Sequence, residues 1–304
     1  VGSASHAVQT AQIMQRFEPV LLDWRPDWVV VPGDVNSTLA CTLVASKLNF
    51  RVAHVEAGLR SFDRTMPEEI NRLVTDQLAD LLFTPSRDGN ENLLREGIPA
   101  EKIRFVGNVM IDTLARLLPR AEKRWPGLRD RFGLSRFVLV TLHRPSNVDV
   151  PDTLAEIVLA LREISRQIPV VFPVHPRTRD RLAAGGLSAY GEGLMLVDPL
   201  GYLDFLALEA HASLVLTDSG GVQEESAHLG VPCLTLRPNT ERPVTVELGT
   251  STLVGNDPAA IEAAFGTVLG GAYKQRRSPV LSSLPGSAFL HLQWTPNFVN
   301  RMAN

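Results

Sequence analysis

The stretch LVLTDSGGVQEESAHLGVPCLTLRPNTERP, residues 214–243, decides the fold. An apolar run of strand character ends at Asp218, the chain turns on Ser219-Gly220-Gly221, and a helix-like stretch with two glutamates follows. A helix N-terminus presents N–H groups and partial positive charge, and paired glycines let a ligand approach the backbone closely. The stretch therefore predicts a strand–turn–helix unit whose turn binds an anion. A turn that only caps the helix is the alternative.

The same alternation of apolar runs and helix-length amphipathic segments continues along the chain. Most of the runs are continuously apolar, which is typical of strands buried on both faces of a parallel sheet. Ten strands are predicted, at 28–31, 51–55, 81–84, 103–106, 137–142, 170–174, 194–197, 214–217, 232–236 and 252–254. The pattern predicts an α/β fold with two Rossmann-like, doubly wound parallel-sheet domains facing a cleft.

The domain boundaries follow from a break in this pattern. Residues 119–136 are charged and interrupted by Pro and Gly, so they are predicted to link an N-terminal domain, 1–118, to a C-terminal domain, 137–271. Residues 272–304 form an atypical tail. The second domain has six predicted strands and the first has four. We therefore expect the first domain to lack its first βα unit or units.

Composition limits the class of protein. The 304 residues are 44% hydrophobic and 21% charged, with a formal net charge of -3. These values fit a globular protein and give no bulk basic field for nucleic acid. Cys41 and Cys233 stand far apart in apolar contexts and are predicted to be buried free thiols. Because no apolar run is long enough to span a membrane and no signal peptide opens the chain, we expect a cytoplasmic protein without membrane association.

Polar residues recur at one topological position, directly after predicted strands, where open α/β sheets bind ligands. Asp34, Glu56, His143 and Ser219 all follow strands, and Glu68 stands in the first turn of a helix. Each except Glu56 also has a structural interpretation: helix capping for Asp34 and Ser219, interaction with the helix dipole for Glu68, and a core position for His143. Glu56 has no capping role and should lie partly buried, where an ionised group is costly.

Other catalytic signatures are absent from the sequence. It contains no G-x-G-x-x-G after a strand, no Walker loop, no Cys/His metal spacing and no G-x-S-x-G elbow. Neither a nicotinamide cofactor nor a metal is expected. The remaining pattern has carboxylates on one side and His, Arg and a glycine-rich helix N-terminus on the other. This pattern favours an anionic leaving group combined with proton transfer.

Seven motifs in continuous order carry a family resemblance: GDVNST, HVEAGLRS, MPEEINR, GNVMIDT, TLHRPSN, TDSGGVQEE and TERPVTVELGT. Together they resemble the non-hydrolysing UDP-N-acetylglucosamine 2-epimerase family over roughly residues 18–270. The resemblance implies a GT-B-like two-domain fold and a homodimer. It also implies interconversion of UDP-N-acetylglucosamine and UDP-N-acetylmannosamine, by expulsion and re-addition of UDP at C1 with inversion at C2.

The resemblance also assigns roles to individual residues. Asp34, Glu56, Glu68 and His143 fall on catalytic positions of the family. Ser219, Gly220 and Gly221 fall on its diphosphate-binding turn, Phe205 and Glu225 on its nucleoside contacts, and Arg144 and Arg242 on substrate-binding positions. A hydrolysing epimerase, a glycosyltransferase of the same fold and a nucleotide-sugar binding protein without turnover remain the alternatives.

Overall fold

The computed structural model describes residues 4–187 and 193–274. They form two compact units, of which the first ends at Val109 and the second begins at Met110. All but the first three residues of the predicted tail 272–304 lie outside the described residues. No helix in the described ranges is long and apolar enough to cross a membrane.

The first unit contains a four-stranded parallel sheet in the order β1-β2-β3-β4. Its elements are α1 (His6–Trp24), β1 (Trp28–Pro32), α2 (Asn36–Lys47), β2 (Arg51–Val55), α3 (Pro67–Leu78), β3 (Leu81–Thr84), α4 (Arg87–Arg95) and β4 (Ile103–Phe105). One face of the sheet packs through Val52 and Leu82, and the other through Ala53 and Phe83. Four strands agree with the sequence prediction. Whether a βα unit is missing before them stays a prediction.

The second unit contains a six-stranded parallel sheet in the order β10-β9-β8-β5-β6-β7. Its strands are β5 (Val138–Thr141), β6 (Val170–Pro173), β7 (Leu194–Val197), β8 (Leu214–Thr217), β9 (Cys233–Thr235) and β10 (Ser251–Leu253). Its helices are α5 (Val109–Glu122, which begins at the last residue of the first unit), α6 (Trp125–Phe132), α7 (Pro145–Val148), α8 (Pro151–Ser165), α9 (Pro176–Ala184), α10 (Tyr202–His211), α11 (Gly220–Leu229), α12 (Pro243–Glu247) and α13 (Pro258–Leu269).

Both faces of this second sheet are covered by apolar side chains. Val138 and Val140 belong to the core on one face, whereas Phe137 and Leu139 belong to the core on the other. Successive side chains of a strand point to opposite faces, so a strand buried on both must be apolar throughout. The continuous apolar runs therefore predicted the doubly wound sheets correctly, and all ten predicted strands are present.

The boundary between the units differs from the predicted linker at 119–136. This segment forms the end of α5 and the whole of α6, within the second unit. Leu114, Ala121 and Leu128 are buried against Phe137 in the core of that unit. The segment appears linker-like in sequence because its charged residues cover the outer faces of two short helices, while few apolar residues point inward.

Both cysteines are free, as the sequence predicts. The predicted burial is correct for Cys233 in β9, whereas Cys41 is only half-buried, beside the core of the first unit.

Candidate functional site

The carboxyl edge of the first sheet carries Asp34 and Glu56. β1 and β2 are parallel neighbours, and their last residues Pro32 and Val55 are paired in register. Asp34 follows β1 by two residues and Glu56 follows β2 directly. The two carboxylates therefore stand after adjacent strand ends, as the sequence predicts.

Asp34 is held by an arginine rather than by a helix cap. Its Oδ2 accepts a hydrogen bond from Nη1 of Arg72 at 2.5 Å. Val35 occupies the N-cap of α2 and makes no side-chain capping bond. The capping interpretation of Asp34 is therefore wrong. Its side chain keeps 32% of its surface exposed, so part of the carboxylate faces solvent at the strand end.

Glu69 holds Arg72 in turn. The guanidinium is 1% exposed and donates from Nη2 and Nε to Oε2 of Glu69 at 2.6 and 3.0 Å. Glu69 also accepts from the backbone N–H groups of Ser61 and Phe62, each at 3.0 Å. Burial opposes ionisation, but these bonds and the Arg72 charge outweigh it and lower the pKa of Glu69. The second glutamate of PEE is thus structural, and it positions the arginine that binds Asp34.

Glu56 occupies a constrained backbone position. Its φ of 70° lies in the left-handed region, which residues other than glycine rarely adopt. The side chain is half-buried, as predicted. Such conformations persist where the surrounding structure enforces them, commonly at functional sites. Here the enforcing structure is a charged network directly beneath the turn.

This network centres on His54, which the sequence reading did not identify. Its Nδ1 lies 2.6 Å from Oδ1 of Asp76, and its Nε2 lies 2.8 Å from the carbonyl oxygen of Gly33. Both partners are acceptors, so both ring nitrogens donate and the buried imidazole is protonated. Burial lowers the pKa of His54, but the hydrogen bond to Asp76 and the negative charge of Asp76 raise it by more. The net shift of the pKa is therefore upward.

Asp76 connects the histidine to the turn that follows Glu56. Its Oδ2 accepts from the N–H of Gly58 at 3.1 Å and from Nη1 of Arg60 at 2.7 Å. Arg60 also forms a two-pronged bond to Glu96, at 2.7 and 2.6 Å. The network thereby anchors the residue before Asp34 and the residues after Glu56. The only sequence signal was a histidine directly after the apolar pair Val52-Ala53 in the strand RVAHV.

Glu68 lies in the first turn of α3 and is half-buried. It lines a cavity of about 280 Å³ in the first unit together with Asn36, Ser37 and Asn71. Asn71 donates from its side chain to the backbone carbonyl of Asp34 at 2.8 Å. The structure therefore places Glu68 near the Asp34 turn, and its first-turn position also suits the helix dipole.

The carboxyl edge of the second sheet places His143 beside the turn after β8. β5 and β8 are adjacent, with Thr141 paired to Thr217, and the strand order reverses between them. Ligands of open α/β sheets bind at such a reversal point. The His143 side chain is 54% exposed, so a core position is excluded.

Asp218 orients His143. Its Oδ1 lies 2.9 Å from His143 Nδ1, and the carboxylate also accepts from the N–H groups of His143 and Arg144 and from the side chain of Asn147. Burial opposes ionisation of Asp218, but these bonds and the His143 charge outweigh it and lower its pKa. Because Nδ1 donates to Asp218, Nε2 remains the atom with which His143 can meet a ligand.

The Ser219-Gly220-Gly221 turn opens α11. Ser219 is the N-cap, and its Oγ accepts from the N–H of Val222 at 3.5 Å, so the capping interpretation is correct. A methyl group at position 220 would collide with Oε1 of Glu241, so this glycine makes room for a protein carboxylate. At position 221 the nearest atom would be Ser219 Oγ, 3.9 Å away. The space above Gly221 and the N–H groups of Gly220 and Gly221 are thus available to an anion.

A charged cluster stands beside this turn. Arg237 donates to Glu241 at 2.7 Å, Arg242 lies 3.2 Å from Glu224, and Arg144 lies 3.9 Å from Glu241. Among the described residues, this cluster brings three guanidinium groups together with the two carboxylates of Glu224 and Glu241. The resemblance identified Arg144 and Arg242, whereas the role of Glu241 emerges only from the fold. The guanidinium groups and the helix N-terminus both favour an anionic ligand.

Glu225 and Phe205 lie farther along the two neighbouring helices. Glu225 is buried in α11, and its Oε1 accepts from the hydroxyl of Tyr202 in α10 at 2.7 Å. Phe205, one turn after Tyr202, is half-buried and packs against the core. The structure thus groups His143, Arg144, Arg242 and the Ser219–Gly221 turn around one strand end, with Glu225 one turn into the same helix.

Fold and site together define an α/β protein with two parallel sheets. The first sheet presents oriented carboxylates, and the second presents a glycine turn at a helix N-terminus beside a histidine and arginines. The chain belongs to the UDP-N-acetylglucosamine 2-epimerase family, whose model matches residues 1–281.

Alignments with named relatives cover most of this chain. It is 48% identical over 266 residues to a UDP-N-acetylglucosamine 2-epimerase of Methanocaldococcus jannaschii, covering 84% of this chain and 72% of that protein. It is 44% identical over 273 residues to UDP-2,3-diacetamido-2,3-dideoxy-D-glucuronate 2-epimerase of Pseudomonas aeruginosa, covering 89% and 75%. The crystal structure of the M. jannaschii enzyme in complex with UDP-GlcNAc and UDP is similar, with a TM-score of 0.87 at 44% identity, covering 96% and 82%.

Proposed function

We propose that this protein interconverts UDP-N-acetylglucosamine and UDP-N-acetylmannosamine without net hydrolysis. The observation that carries the proposal is the division of chemistry between the units. The second unit has a glycine turn, the arginines of the charged cluster and an Asp218-oriented histidine, which suit a diphosphate. The first has the carboxylates Asp34 and Glu56 at adjacent strand ends, which suit proton transfer. A relative that is 48% identical over 84% of the chain is named UDP-N-acetylglucosamine 2-epimerase, which supports epimerisation at C2.

The chemistry explains why both halves are needed. C2 of an N-acetylhexosamine has no neighbouring carbonyl, so its proton is poorly acidic. In the proposed route a carboxylate removes that proton while the C1–O bond breaks and UDP leaves with the bonding electrons. A glycal remains. UDP then adds back to C1 as a proton is delivered to the opposite face of C2. Acid and base groups on both faces are required, which three carboxylates, Asp34, Glu56 and Glu68, supply.

Departure of UDP needs stabilisation of its growing charge. Preorganised donors and cations in a site that excludes water contribute strongly to such steps. We assign this role to His143, Arg144, Arg242 and the first-turn N–H groups of Gly220 and Gly221. Glu225 and Phe205 are proposed to contact the nucleoside. A homodimer, as the family resemblance implies, is part of the proposal and is checked by light scattering of the purified protein.

The route is tested by turnover of UDP-N-acetylglucosamine in deuterated water with no added cofactor. The expected product, UDP-N-acetylmannosamine, carries deuterium at C2. Turnover that leaves C2 unlabelled contradicts the elimination route. Release of free N-acetylmannosamine plus UDP identifies a hydrolysing epimerase, and binding of UDP without turnover identifies a nucleotide-sugar binding protein.

A second substrate is favoured by one comparison. The Pseudomonas aeruginosa relative, 44% identical, is named for a diacetamido glucuronate sugar on the same nucleotide. Epimerisation of UDP-2,3-diacetamido-2,3-dideoxy-D-glucuronate is therefore the alternative within the same reaction class. Parallel kcat/KM measurements on the two UDP-sugars decide between them.

A further inference from the structure

A buried acid behind the proposed nucleoside site has no role in the reaction described above. Glu209 in α10 is 0% exposed. Its Oε1 accepts from the hydroxyl of Ser226 at 2.8 Å, and no donor of the described residues bonds its Oε2. An ionised carboxylate buried with a single neutral donor is strongly unfavourable. Glu209 therefore carries a proton, and its O–H needs an acceptor.

That acceptor is Glu225, on the neighbouring helix α11. The Glu209 and Glu225 side chains are within hydrogen-bonding reach of one another. Burial, and after it the Glu225 charge, raises the pKa of Glu209 well above its usual range. For Glu225, burial raises the pKa, and the bonds from Tyr202 and Glu209 offset only part of that rise. Because Glu225 also accepts from the Tyr202 hydroxyl, it is the better placed of the two to hold the negative charge, and the shared proton resides on Glu209.

The other titratable groups around the pair are neutral at physiological pH. Burial raises the pKa of Tyr202, which donates to Glu225. Burial also raises the pKa of the Cys233 thiol, behind Glu209 on β9, to about 11. The ion pairs of the described residues give neither carboxylate a cationic partner. Two acids therefore share one proton, with neutral donors around them.

We propose that Glu209 is a positioning residue for nucleoside binding: its carboxylic O–H donates to Glu225 and holds that carboxylate ready to accept from the hydroxyls of a ribose. The inference rests on the proposed function, because it takes Glu225 as a nucleoside contact. Tyr202 occupies Oε1 of Glu225 from one side, and Glu209 restrains the group from behind. A fixed acceptor loses less entropy on binding than a mobile one.

The shared proton is tested first, without any ligand. The test is made at pH 7, which lies well above the usual pKa of a carboxyl group. Infrared spectra of the whole protein should still show the C=O stretch of a protonated carboxyl group. The band should vanish in Glu209→Gln. In this variant the amide oxygen replaces Oε1 as the acceptor from Ser226, and the amide N–H₂ replaces the acid as donor to Glu225. Absence of the band in the wild-type protein, or its persistence in Glu209→Gln, overturns the proposal.

Positioning is tested by calorimetric titration with UDP at pH 7. Glu209→Gln keeps the donor and should bind UDP within about threefold of the wild-type Kd, whereas Glu209→Leu loses a hydrogen bond to a charged group and should bind about tenfold more weakly. Ser226→Ala is the matched control, since it removes the other bond of Glu209 without touching Glu225. Its UDP affinity should stay within about threefold of wild type.

The outcomes separate this inference from the proposed function. Wild-type affinity in Glu209→Leu, or equal losses in the Gln and Leu variants, overturns the positioning role. A wild-type protein that shows the infrared band but does not bind UDP overturns the proposed function, and the positioning role with it, while the shared proton stands. Because the infrared test uses only the wild type and the isosteric Gln variant, it does not depend on the folding of the Leu variant.

Discussion

The two glycines of the proposed diphosphate-binding turn should respond differently to the same substitution. Gly220→Ala drives a methyl group into Oε1 of Glu241, a buried carboxylate held by Arg237. Gly221→Ala places its methyl group no closer than 3.9 Å to Ser219 Oγ. The first change should lower stability, and the second should weaken UDP binding. The neighbouring positions therefore serve as controls for each other.

The size of the stability loss in Gly220→Ala follows from the environment of Glu241. Burial opposes its ionisation, but the bond from Arg237 and the charges of Arg242 and Arg237 lower its pKa from 4.5 to about 2. At about 1.36 kcal/mol per pKa unit, the site favours the carboxylate by about 3 kcal/mol. Overpacking typically costs about 1–3 kcal/mol, and replacing glycine in a helix returns about 0.5–1 kcal/mol. Because Glu241 is held this firmly, the overpacking cost should lie in the upper part of that range, at about 2–3 kcal/mol, which leaves a net loss of roughly 1–2.5 kcal/mol for Gly220→Ala.

Thermal unfolding and UDP titration of both variants measure these effects. The Tm of the second unit should fall by roughly 2–10 °C in Gly220→Ala, at about 2–4 °C per kcal/mol, and should not fall in Gly221→Ala. Gly221→Ala keeps its N–H group, but its methyl group fills the space above the turn and should hold the diphosphate away from that donor, so UDP should bind about tenfold more weakly, as when a hydrogen bond to a charged group is lost. If both variants lose stability equally, or if Gly221→Ala binds UDP normally, the assignment of Gly220 to Glu241 and Gly221 to the ligand is refuted.

Three further perturbations examine the rest of the site. Glu56→Gln keeps the side-chain shape but removes the proton acceptor, so the epimerisation rate should fall about a hundredfold or more while UDP affinity stays unchanged; lost UDP binding with a normal rate at saturation would place Glu56 among the binding residues instead. Arg72→Met leaves Glu69 buried without its cation and should lower the free energy of unfolding, measured by urea denaturation, by about 3–5 kcal/mol. Arg95→Met breaks the exposed ion pair of Arg95 with Glu91 and should cost less than about 1 kcal/mol. Similar losses in the two variants would show that the buried pair stabilises the protein no more than the exposed one. The pKa of Asp218 and that of Asp76 lie below the unfolded value of about 3.9, so the stability they provide is present above that pH and is lost as pH falls through the folded values; a Tm that stays constant from pH 5 to pH 2 would contradict this.

Several parts of this protein could be read from the sequence because each depends on local chemistry. Strand positions followed from uninterrupted apolar runs, since a strand covered on both faces has no position for a polar side chain. The end of β8 and the start of α11 followed from Ser219 and its glycines. The order of strands also located Asp34, Glu56 and His143, since residues after parallel strands share one edge of a sheet.

Other features depended on contacts between residues distant in the chain. Asp34 looked like a helix cap until the fold placed Arg72 against it. The linker-like segment 119–136 contains the end of α5 and the whole of α6, and its few apolar residues pack in a core. His54 and Asp76, 22 positions apart in the chain, meet at 2.6 Å. Local propensity contains no information about such pairs, because their energy exists only when burial removes water from both partners.

The partners of the acidic residues show most clearly which features the sequence determines and which depend on the fold. The sequence placed Glu68, Glu69, Glu224 and Glu225 in helices and gave each pair the same chemistry. Tertiary structure separated them: Glu69 binds the buried Arg72, whereas Glu68 lines a cavity. Glu224 lies beside Arg242, whereas Glu225 faces a hydroxyl and a second acid. Sequence alone determined where the carboxylates stand along the chain, and only the fold decided what each one faces, because the charge and role of a buried acid are set by its neighbours in space.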